Sequence, residues 1–289
     1  MTHARASLDH VAYRRRVFGT LAIASALLLA APTESETDTE GPEFSVALDS
    51  VFSLMFGDFG TSSTFRFGVR PRPHLEFSAT IGVAHQQFGQ QSGPAIAETR
   101  ASNVMLGARW IRDDPWLRHH VYIGLSLVVS TDIDGEATQF QTLLAEDVMR
   151  MRGGWDFWLW LPSTAAAVVP FGWSYNGERG VVGVDGAVAG LVHARRSAGL
   201  GAQLRLHGGV ALRRSVVGLL GTSAYNGLSG TFAFGGGPFV TTPLCRSGRE
   251  DCPAEFTATA TVTATDEGAG TLQPSFNTGV GLRWGTSGK

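Results

Sequence analysis

The chain has 289 residues, of which 43% are hydrophobic and 17% charged, with a formal net charge of -2. A charge so close to zero gives no reason to expect a nucleic acid as partner. The charged fraction lies below the roughly 25% of soluble domains, and the 37 glycines exceed the usual share of roughly 7%. Both features are typical of β-proteins rich in tight turns, either a secreted β-sandwich or a β-barrel in a membrane.

The segment 1–31 has the organisation of a secretory signal peptide. Arg14, Arg15 and Arg16 form a basic region, and an apolar, uncharged run follows over 17–31. This run is shorter than the about 20 residues that a transmembrane helix needs, so we expect a cleaved signal, with the cut after Ala30. The paired arginines also resemble a twin-arginine export signal, but the leucine-rich run favours the general secretory route. Residues 32–42 are acidic, which predicts a solvated linker, and 43–289 form the folded domain.

From residue 43 onwards the hydrophobic pattern repeats every two residues, which is the period of a β-strand. In the segment 64–83, for example, Phe65 and Phe67 share one face while Arg66 lies on the other. Pro71 and Pro73 mark the turn of this hairpin, because proline fixes φ and donates no hydrogen bond. No sustained helical period follows the signal peptide. The predicted strands cover 44–56, 65–70, 75–83, 103–111, 121–129, 149–161, 165–175, 182–192, 200–212, 228–234, 256–264 and 275–284.

These segments predict an all-β fold, an antiparallel transmembrane β-barrel of about 12 strands, since such barrels have an even number of strands of roughly ten residues. Ten or fourteen strands also fit. Arginines recur on the polar faces, and an arginine facing lipid at the bilayer midplane costs about 2–4 kcal/mol, so a barrel must turn these faces inward. A soluble periplasmic β-sandwich that binds a ligand is the alternative, with the same arginines facing water.

The placement of aromatic residues and loops favours the membrane. Long polar stretches at 86–99 and 131–145 alternate with short links at 70–74 and 195–198, which is typical of outer-membrane barrels. Aromatic residues near segment ends match the two interfacial girdles of such barrels; they are Trp110, Trp155, Trp158, Trp160, Trp173, Tyr175 and Trp284.

Two features count against the barrel. Pro170 lies inside a predicted strand, where it requires a bulge. The long connection 236–254 falls on the side of the barrel where turns should be short.

The end of the chain carries the pattern that supports a family resemblance. The run Thr278–Trp284 has a polar residue, a glycine and alternating apolar residues. It resembles the C-terminal assembly signal of bacterial outer-membrane β-barrel proteins of the porin-like and OmpA-like kind, except that five residues follow Trp284. The resemblance implies a location in the cell outer membrane, contact with outer-membrane lipid, and recognition of Thr278–Trp284 by the barrel-assembly machinery.

Inside such a barrel the polar faces would line the lumen. Arginines there face the acids Asp49, Glu76 and Asp156, so the charges either pair across a filled interior or line a water-filled pore. The sequence therefore supports a passive, porin-like channel and a structural surface protein almost equally. The candidate lumen-lining residues are Arg66, Glu76, Arg109, Arg150, Asp156, Arg205, His207 and Arg283.

The sequence carries little that points to covalent chemistry. Cys245 and Cys252 are spaced for a small disulfide loop in an oxidising compartment, and two thiols without a nearby histidine do not predict a metal site. Common catalytic motifs are absent, so we expect no enzyme and no cofactor. His193 and Ser197 flank a turn, which leaves an outer-membrane hydrolase acting on lipid as an alternative.

Overall fold

A computed structural model describes residues 42–55, 58–88, 96–114, 116–131, 139–194, 198–244, 254–266 and 272–286. The predicted signal peptide, Ser197 and both cysteines lie outside these ranges. The strands are β1 (Glu43–Met55), β2 (Asp58–Arg72), β3 (Leu75–Phe88), β4 (Ile96–Ala101), β5 (Val104–Asp114), β6 (His119–Val129), β7 (Thr164–Gly177), β8 (Gly180–His193), β9 (Ala198–Leu212), β10 (Ser215–Asn226), β11 (Thr231–Pro243), β12 (Ala254–Asp266) and β13 (Leu272–Thr286). An α-helix, α1 (Gln139–Met151), and a 3-10 turn (Phe157–Leu159) lie between β6 and β7.

The strands form one closed antiparallel barrel. Apart from β4 and β5, strands that follow each other in the chain pair with each other, and β1 pairs with β13 to close the wall. β4 and β5 both pair with β3, one along each half of it, so they occupy a single position interrupted at Ser102 and Asn103. The thirteen segments therefore make a 12-stranded wall, which confirms the predicted fold class and strand number.

The two faces of the wall differ as the alternation predicts. Apolar side chains such as Leu106, Ile123 and Leu206 point outward and are more than half exposed, which suits lipid. Outward aromatic residues gather near both ends of the strands, as interfacial girdles do: Phe44, Trp110, Trp173, Tyr175 and Trp284 at one end, and Phe52, Phe59, Tyr225, Phe232 and Phe276 at the other.

The end where β1 begins and β13 ends is called the terminal rim, and the other end the opposite rim. The connections at 73–74, 178–179 and 213–214 give the terminal rim three two-residue turns. β11 ends at Pro243 and β12 begins at Ala254 at this rim as well, and both cysteines lie between them in the sequence, outside the described residues. The link 195–198 joins β8 to β9 at the opposite rim, so the predicted grouping of short links on one side is only partly right.

A folded segment from the opposite rim fills half of the interior. This plug, residues 139–160, consists of α1, the turn 152–156, the 3-10 turn (Phe157–Leu159) and the residue after it, Trp160. Phe157, Trp158 and Leu159 are at most 1% exposed and pack with Leu144 and Val148 of α1. Among the described residues, no helix has both the length and the apolar character needed to cross a bilayer.

The plug corrects the prediction of a strand over 149–161 and of no helix after the signal. Leu144, Val148 and Met151 are buried at helical spacing on α1, and the preceding stretch lacks the Gly and Pro that punctuate the strands. Trp158 and Trp160, predicted as girdle residues, are buried inside the barrel instead. Met149 and Met151 alternate with Arg150 and Arg152 in the sequence, so the end of α1 could be misread as a strand of period two.

A second error offsets the first, which is why the predicted strand number is right. The sequence analysis missed β10, whose inward residues Val216, Leu220 and Ala224 are as apolar as its outward ones, so alternation is lost. β11 extends to Pro243, and most of the supposed connection after residue 236 is strand. Pro170 lies inside β7 without a bulge, because the β6–β7 pairing skips its position and resumes in unchanged register at Val168 and Phe171.

Two glycines end α1 and set the direction of the plug. Gly154 donates its N–H to the Met149 carbonyl and Gly153 to the Arg150 carbonyl, the paired bonds of a Schellman helix end. The φ angle is +57° at Gly153 and +76° at Gly154, and both lie in the left-handed region that favours glycine. A Cβ at Gly154 would also lie 2.3 Å from the Ala224 Cβ of the wall.

We therefore expect Gly154→Ala to lower the free energy of unfolding by about 1–3 kcal/mol, through backbone strain and overpacking against β10. Urea unfolding in detergent, followed by tryptophan fluorescence, measures the change. Gly190→Ala is the matched control, since a Cβ there meets nothing within 4 Å, and it should shift stability by less than about 0.5 kcal/mol. Equal effects of the two substitutions would contradict the tight contact between plug and wall.

Candidate functional site: the interior chamber

The half of the interior between the plug and the terminal rim is a chamber of about 630 Å³. Its lining runs from Ser45 and Asn176 near the rim to Trp155 and Trp158 of the plug. A side cavity of about 490 Å³ shares part of this lining and extends along β12, past four inward threonines. Those threonines are Thr257, Thr259, Thr261 and Thr263, the polar face that the sequence alternation predicts.

Charged side chains dominate the chamber wall. Seven of the eight residues predicted to line the lumen lie around it: Arg66, Glu76, Arg109, Asp156, Arg205, His207 and Arg283. The complete lining holds six arginines, at 66, 70, 109, 152, 205 and 283, and five carboxylates, at 49, 76, 156, 185 and 255. Arg283 and Glu255 are paired in register on β13 and β12. Positively and negatively charged side chains are therefore interspersed on the chamber wall.

Arg150 is the predicted lining residue that the chamber does not include. It lies on α1 rather than on a strand, and its Nε donates to Thr265 Oγ1 at 3.1 Å while Nη1 lies 3.1 Å from Asp147 Oδ1. The side chain is buried between plug and wall. Its role in the described structure is to fasten α1 to β12.

One cluster of polar side chains connects four strands of the wall, β5, β6, β8 and β9. The Arg109 guanidinium lies 4.8 Å from the centre of the Tyr122 ring, and the Tyr122 hydroxyl donates to Asp185 Oδ1 at 2.7 Å. His207 Nδ1 is 3.8 Å from Asp185 Oδ2. The ring lies flat over Gly172, where a Cβ would come within 2.3 Å of it. A glycine on β7 therefore makes room for the aromatic support of an arginine on β5.

A second arginine is supported by the plug. Arg205 of β9 lies 3.9 Å from the centre of the Trp155 ring, a distance at which a guanidinium is attracted to the aromatic face. The next residue, Asp156, has a left-handed backbone with φ of 53°. Its N–H donates to Gln203 Oε1 at 2.8 Å, and Gln203 Nε2 donates back to its carboxylate at 3.3 Å. This reciprocal pair fastens the plug to β9.

The sequence analysis did not include Arg152 among the site residues. The side chain of Arg152 leaves the plug and bonds Asp49 of β1, with further bonds to Ser62 and Thr64 of β2 at 3.3 Å each. The Arg152 side chain is only 3% exposed, whereas that of Asp49 is 46% exposed. This ion pair stands at the boundary between plug and chamber. The strand predicted over 149–161 places Arg152 on the same polar face as Arg150 and Asp156, so strand period gave no reason to leave Arg152 out.

The break in the wall at Ser102 and Asn103 is the main docking point of the plug. Asn103 Nδ2 donates to the carbonyls of Trp158, Leu161 and Thr164 at 2.8 to 3.3 Å, and the Asn103 N–H donates to Leu159 O at 2.7 Å. Ser102 Oγ accepts the Gly82 N–H at 2.6 Å. The interruption therefore exchanges pairing within the wall for bonds to the plug.

Ion pairs also hold the terminal rim. Arg70 Nη2 lies 2.8 Å from Asp113 Oδ2 and its Nη1 3.8 Å from Glu43. In the turns, Arg118 donates to Glu178 at 2.7 Å, and this hydrogen bond raises the pKa of Arg118 above its ordinary value. Both pairs are exposed to solvent, so each contributes little to stability.

The alternative of a lipid-acting hydrolase rests on His193 and Ser197. His193 ends β8, paired with Thr164 at the opposite rim, while Ser197 lies outside the described residues. Within the described ranges, no group of three or more His, Cys, Asp or Glu side chains is arranged to hold a metal ion.

Comparison with solved structures shows the fold. The COG4313 outer membrane channel from Pseudomonas putida F1 is similar over 89% of this chain and all of its own, with a TM-score of 0.52 and 6% sequence identity. The KdgM porin in complex with disordered oligogalacturonate matches with a TM-score of 0.43 and 9% identity, over 82% of this chain and 98% of its own. The β domain of the Bordetella autotransporter BrkA matches with a TM-score of 0.45 and 11% identity, over 86% of this chain and 100% of its own. No protein-family model matches the chain, and no curated protein matches its sequence.

The fold is that of outer-membrane β-barrel proteins, as the resemblance at the C-terminus implied. In this chain that fold encloses a half-filled, charged interior. The likeness at 6% identity extends to the architecture and not to particular residues.

We expect Asn103→Ala to lower the free energy of unfolding by about 1–3 kcal/mol, because it removes a buried amide and leaves carbonyls of the plug without donors. Asn176→Ala, at an exposed position of the terminal rim, is the control and should leave stability unchanged within about 0.5 kcal/mol. Urea unfolding of the folded barrel measures both. An Asn103 variant as stable as the control would show that the Asn103 amide does not contribute to docking of the plug.

Proposed function

We propose that the protein is a passive outer-membrane channel for small polar solutes, with the plug closing the pore at the opposite rim. The observation that carries this proposal is the charged chamber, which continues from the plug to the terminal rim. Burying charges in a barrel costs free energy unless they are paired or hydrated. Since six arginines line a space that the protein leaves unfilled, water is the natural occupant of the chamber.

The similarity to the COG4313 channel supports the same proposal. That protein is an outer membrane channel, and this chain shares its fold. The signal peptide over 1–31 would export the chain, and Thr278–Trp284, which lie on the closing strand β13, would be read by the barrel-assembly machinery. Short turns are typical of the periplasmic side, so we place the terminal rim there and the opposite rim at the cell surface.

In this proposal the plug is the gate. The polar fastenings of the plug that border the chamber are the Arg152–Asp49 ion pair and the bonds of Asp156 to Gln203. Both face the chamber side of the plug, where water can replace them if the plug moves. The side cavity along β12 is lined by Met151 of the plug and by Thr222 of β10, so we place the route past the plug along this flank.

A structural surface barrel is the second candidate. The observation in its favour is the apolar core of the plug, where Phe157, Trp158 and Leu159 are fully buried with residues of α1. A plug packed in this way is stable, and a barrel that never opens would serve as a scaffold. Conductance separates the two candidates.

Planar-bilayer recordings of the purified barrel test the channel. We expect discrete conductance steps, and we expect Arg152→Gln to raise the open fraction several-fold, because the plug loses its ion pair to Asp49. Arg112→Gln, which replaces an exposed arginine at the end of β5, is the control. If the wild-type protein and both variants give no conductance steps, the proposal of a channel is refuted and the structural surface barrel is the remaining candidate.

Ion selectivity provides a separate test of the chamber. Replacing Arg66, Arg109 and Arg205 together with Gln leaves three arginines against five carboxylates in the lining. The reversal potential in a salt gradient should therefore move towards cation preference relative to the wild type. An unchanged reversal potential in a conducting variant would mean that ions take a route outside the chamber.

A further inference from the structure

One row of inward side chains crosses three neighbouring strands near the terminal rim. Pairing in register places His120 of β6 beside Asp113 of β5 on one side and beside Ser174 of β7 on the other. Residues opposite each other on antiparallel neighbours have Cβ atoms about 4.5–5.5 Å apart, close enough for their side chains to touch. A carboxylate, an imidazole and a hydroxyl therefore follow one another along the wall.

The carboxylate and the imidazole of this row are bonded to each other. His120 Nδ1 donates to Asp113 Oδ1, and Arg70 of β2 donates to the other carboxylate oxygen, Oδ2, at 2.8 Å. With the proton of the ring on Nδ1, the lone pair is on Nε2, on the side of the ring away from β5. Arg70 and Asp113 thus hold His120 in the orientation and tautomer of a base.

Ser174 offers that base a hydroxyl. The Ser174 hydroxyl has no hydrogen-bond partner among the described residues, and its half-buried side chain lines the chamber together with His120. A serine beside a histidine that a carboxylate orients is the arrangement that activates serine as a nucleophile. The bond from serine to histidine in such sites is often long without substrate and shortens when substrate binds.

A second histidine reaches Ser174 from the other side. His207 of β9 and Ser174 are both in register with Gly183 of β8. A Cβ at Gly183 would lie 2.6 Å from His207 Nε2 and 3.0 Å from Ser174 Cβ. The missing side chain therefore allows the His207 ring to lie next to Ser174. His207 Nδ1 is 3.8 Å from Asp185 Oδ2, so its carboxylate contact is looser than that of His120.

We propose that Ser174 is the nucleophile of an esterase site in the chamber, with His120 as its base. The Ser174 oxygen attacks the ester carbonyl carbon while its proton passes to His120 Nε2. The bond from that carbon to the alcohol oxygen then breaks, and the same proton passes to the leaving alkoxide. Water, deprotonated by His120, attacks the acyl-serine, and the proton returns to Ser174 as the acid leaves.

The surroundings of Ser174 fit the rest of this reaction. Asn176 lies two residues along the same face of β7 and also lines the chamber. Its amide would donate to the carbonyl oxygen, where negative charge develops in the tetrahedral intermediate. His207 closes the site on the side of β9. Because the chamber is about 630 Å³ in volume and the plug closes its far end, the substrates are small, water-soluble esters.

Hydrolysis of p-nitrophenyl butyrate by the detergent-purified barrel tests the site, with heat-shifted gel mobility as proof of folding. Ser174→Ala should lose the activity, and His120→Gln should lower it by about a hundredfold. Ser45→Ala is the matched control, a half-buried serine of the same lining whose partners in register are both glycines, and it should retain wild-type activity. Hydrolysis at the wild-type rate in folded Ser174→Ala, or none in the wild type, overturns the proposal.

Covalent labelling identifies the nucleophile directly. A fluorophosphonate forms a phosphorus–oxygen bond to an activated serine with loss of fluoride, and mass spectrometry of the peptides locates the label. We expect the label on Ser174, with labelling slowed about a hundredfold in His120→Gln and less in His207→Gln. A folded wild-type protein without label on Ser174 overturns the nucleophile. Slower labelling in His207→Gln than in His120→Gln overturns the assignment of the base.

The length of the acyl chain tests the class of substrate. p-Nitrophenyl palmitate should be hydrolysed at least tenfold more slowly than the butyrate, because its chain exceeds the chamber. Faster hydrolysis of the palmitate overturns the assignment to small esters.

The esterase requires a chamber open at the terminal rim and does not require the plug to move. A barrel that hydrolyses the butyrate but gives no conductance steps keeps the esterase and refutes the channel. A barrel that conducts but neither hydrolyses the ester nor takes the label refutes the esterase and leaves the channel.

Discussion

The interior of this barrel depends on the contact between a broken strand and a buried plug. Where an unbroken strand would continue its pairing, Ser102 and Asn103 leave the pattern, and the Asn103 amide donates to carbonyls of the segment 158–164. A buried backbone carbonyl without a donor is costly, so this one side chain determines where the plug can end. The Schellman turn at Gly153 and Gly154 then fixes the direction from which α1 arrives.

The position of the plug determines where charged side chains lie in the rest of the interior. The half of the barrel near the opposite rim is filled by apolar residues of the plug, and the other half is left to inward side chains of the strands. Arginines there are not neutralised one by one. Arg109 and Arg205 lie on the aromatic rings of Tyr122 and Trp155, whereas Arg152, at the boundary with the plug, bonds Asp49, and Arg70, at the terminal rim, pairs with Asp113. This arrangement suits a hydrated chamber better than a solid core.

Period-two alternation predicted the wall of the barrel because lipid outside and polar space inside impose opposite demands on successive residues. The outward and inward faces of the hairpin β2–β3, and of β9, are those that the sequence predicts. The alternation failed where that contrast disappears. β10 carries apolar residues such as Val216 and Leu220 on its inward face as well, and the plug consists of a helix and turns, so neither shows a period-two alternation of polar and apolar residues.

The candidate site was predictable from the sequence where its residues lie on strands, and not where its contacts involve the plug. The inward positions of Arg66, Arg109 and Arg205 follow from strand period alone. The roles of Arg152 and Asn103 do not, since they depend on a helix folded back into the lumen, and the aromatic support of Arg109 depends on a glycine two strands away. Such contacts join residues far apart in sequence. A gap of seventeen residues without Gly or Pro before Gly153 was the signal that could have revealed the helix.

The central claim is that the plug closes a polar passage through the barrel. The most direct measurement is single-channel conductance of a chain in which residues 139–160 are replaced by a flexible glycine-serine linker, with heat-shifted gel mobility as proof of folding. The account predicts a steady conductance larger than that of the intact protein. A folded linker variant that conducts no more than the intact chain would contradict it.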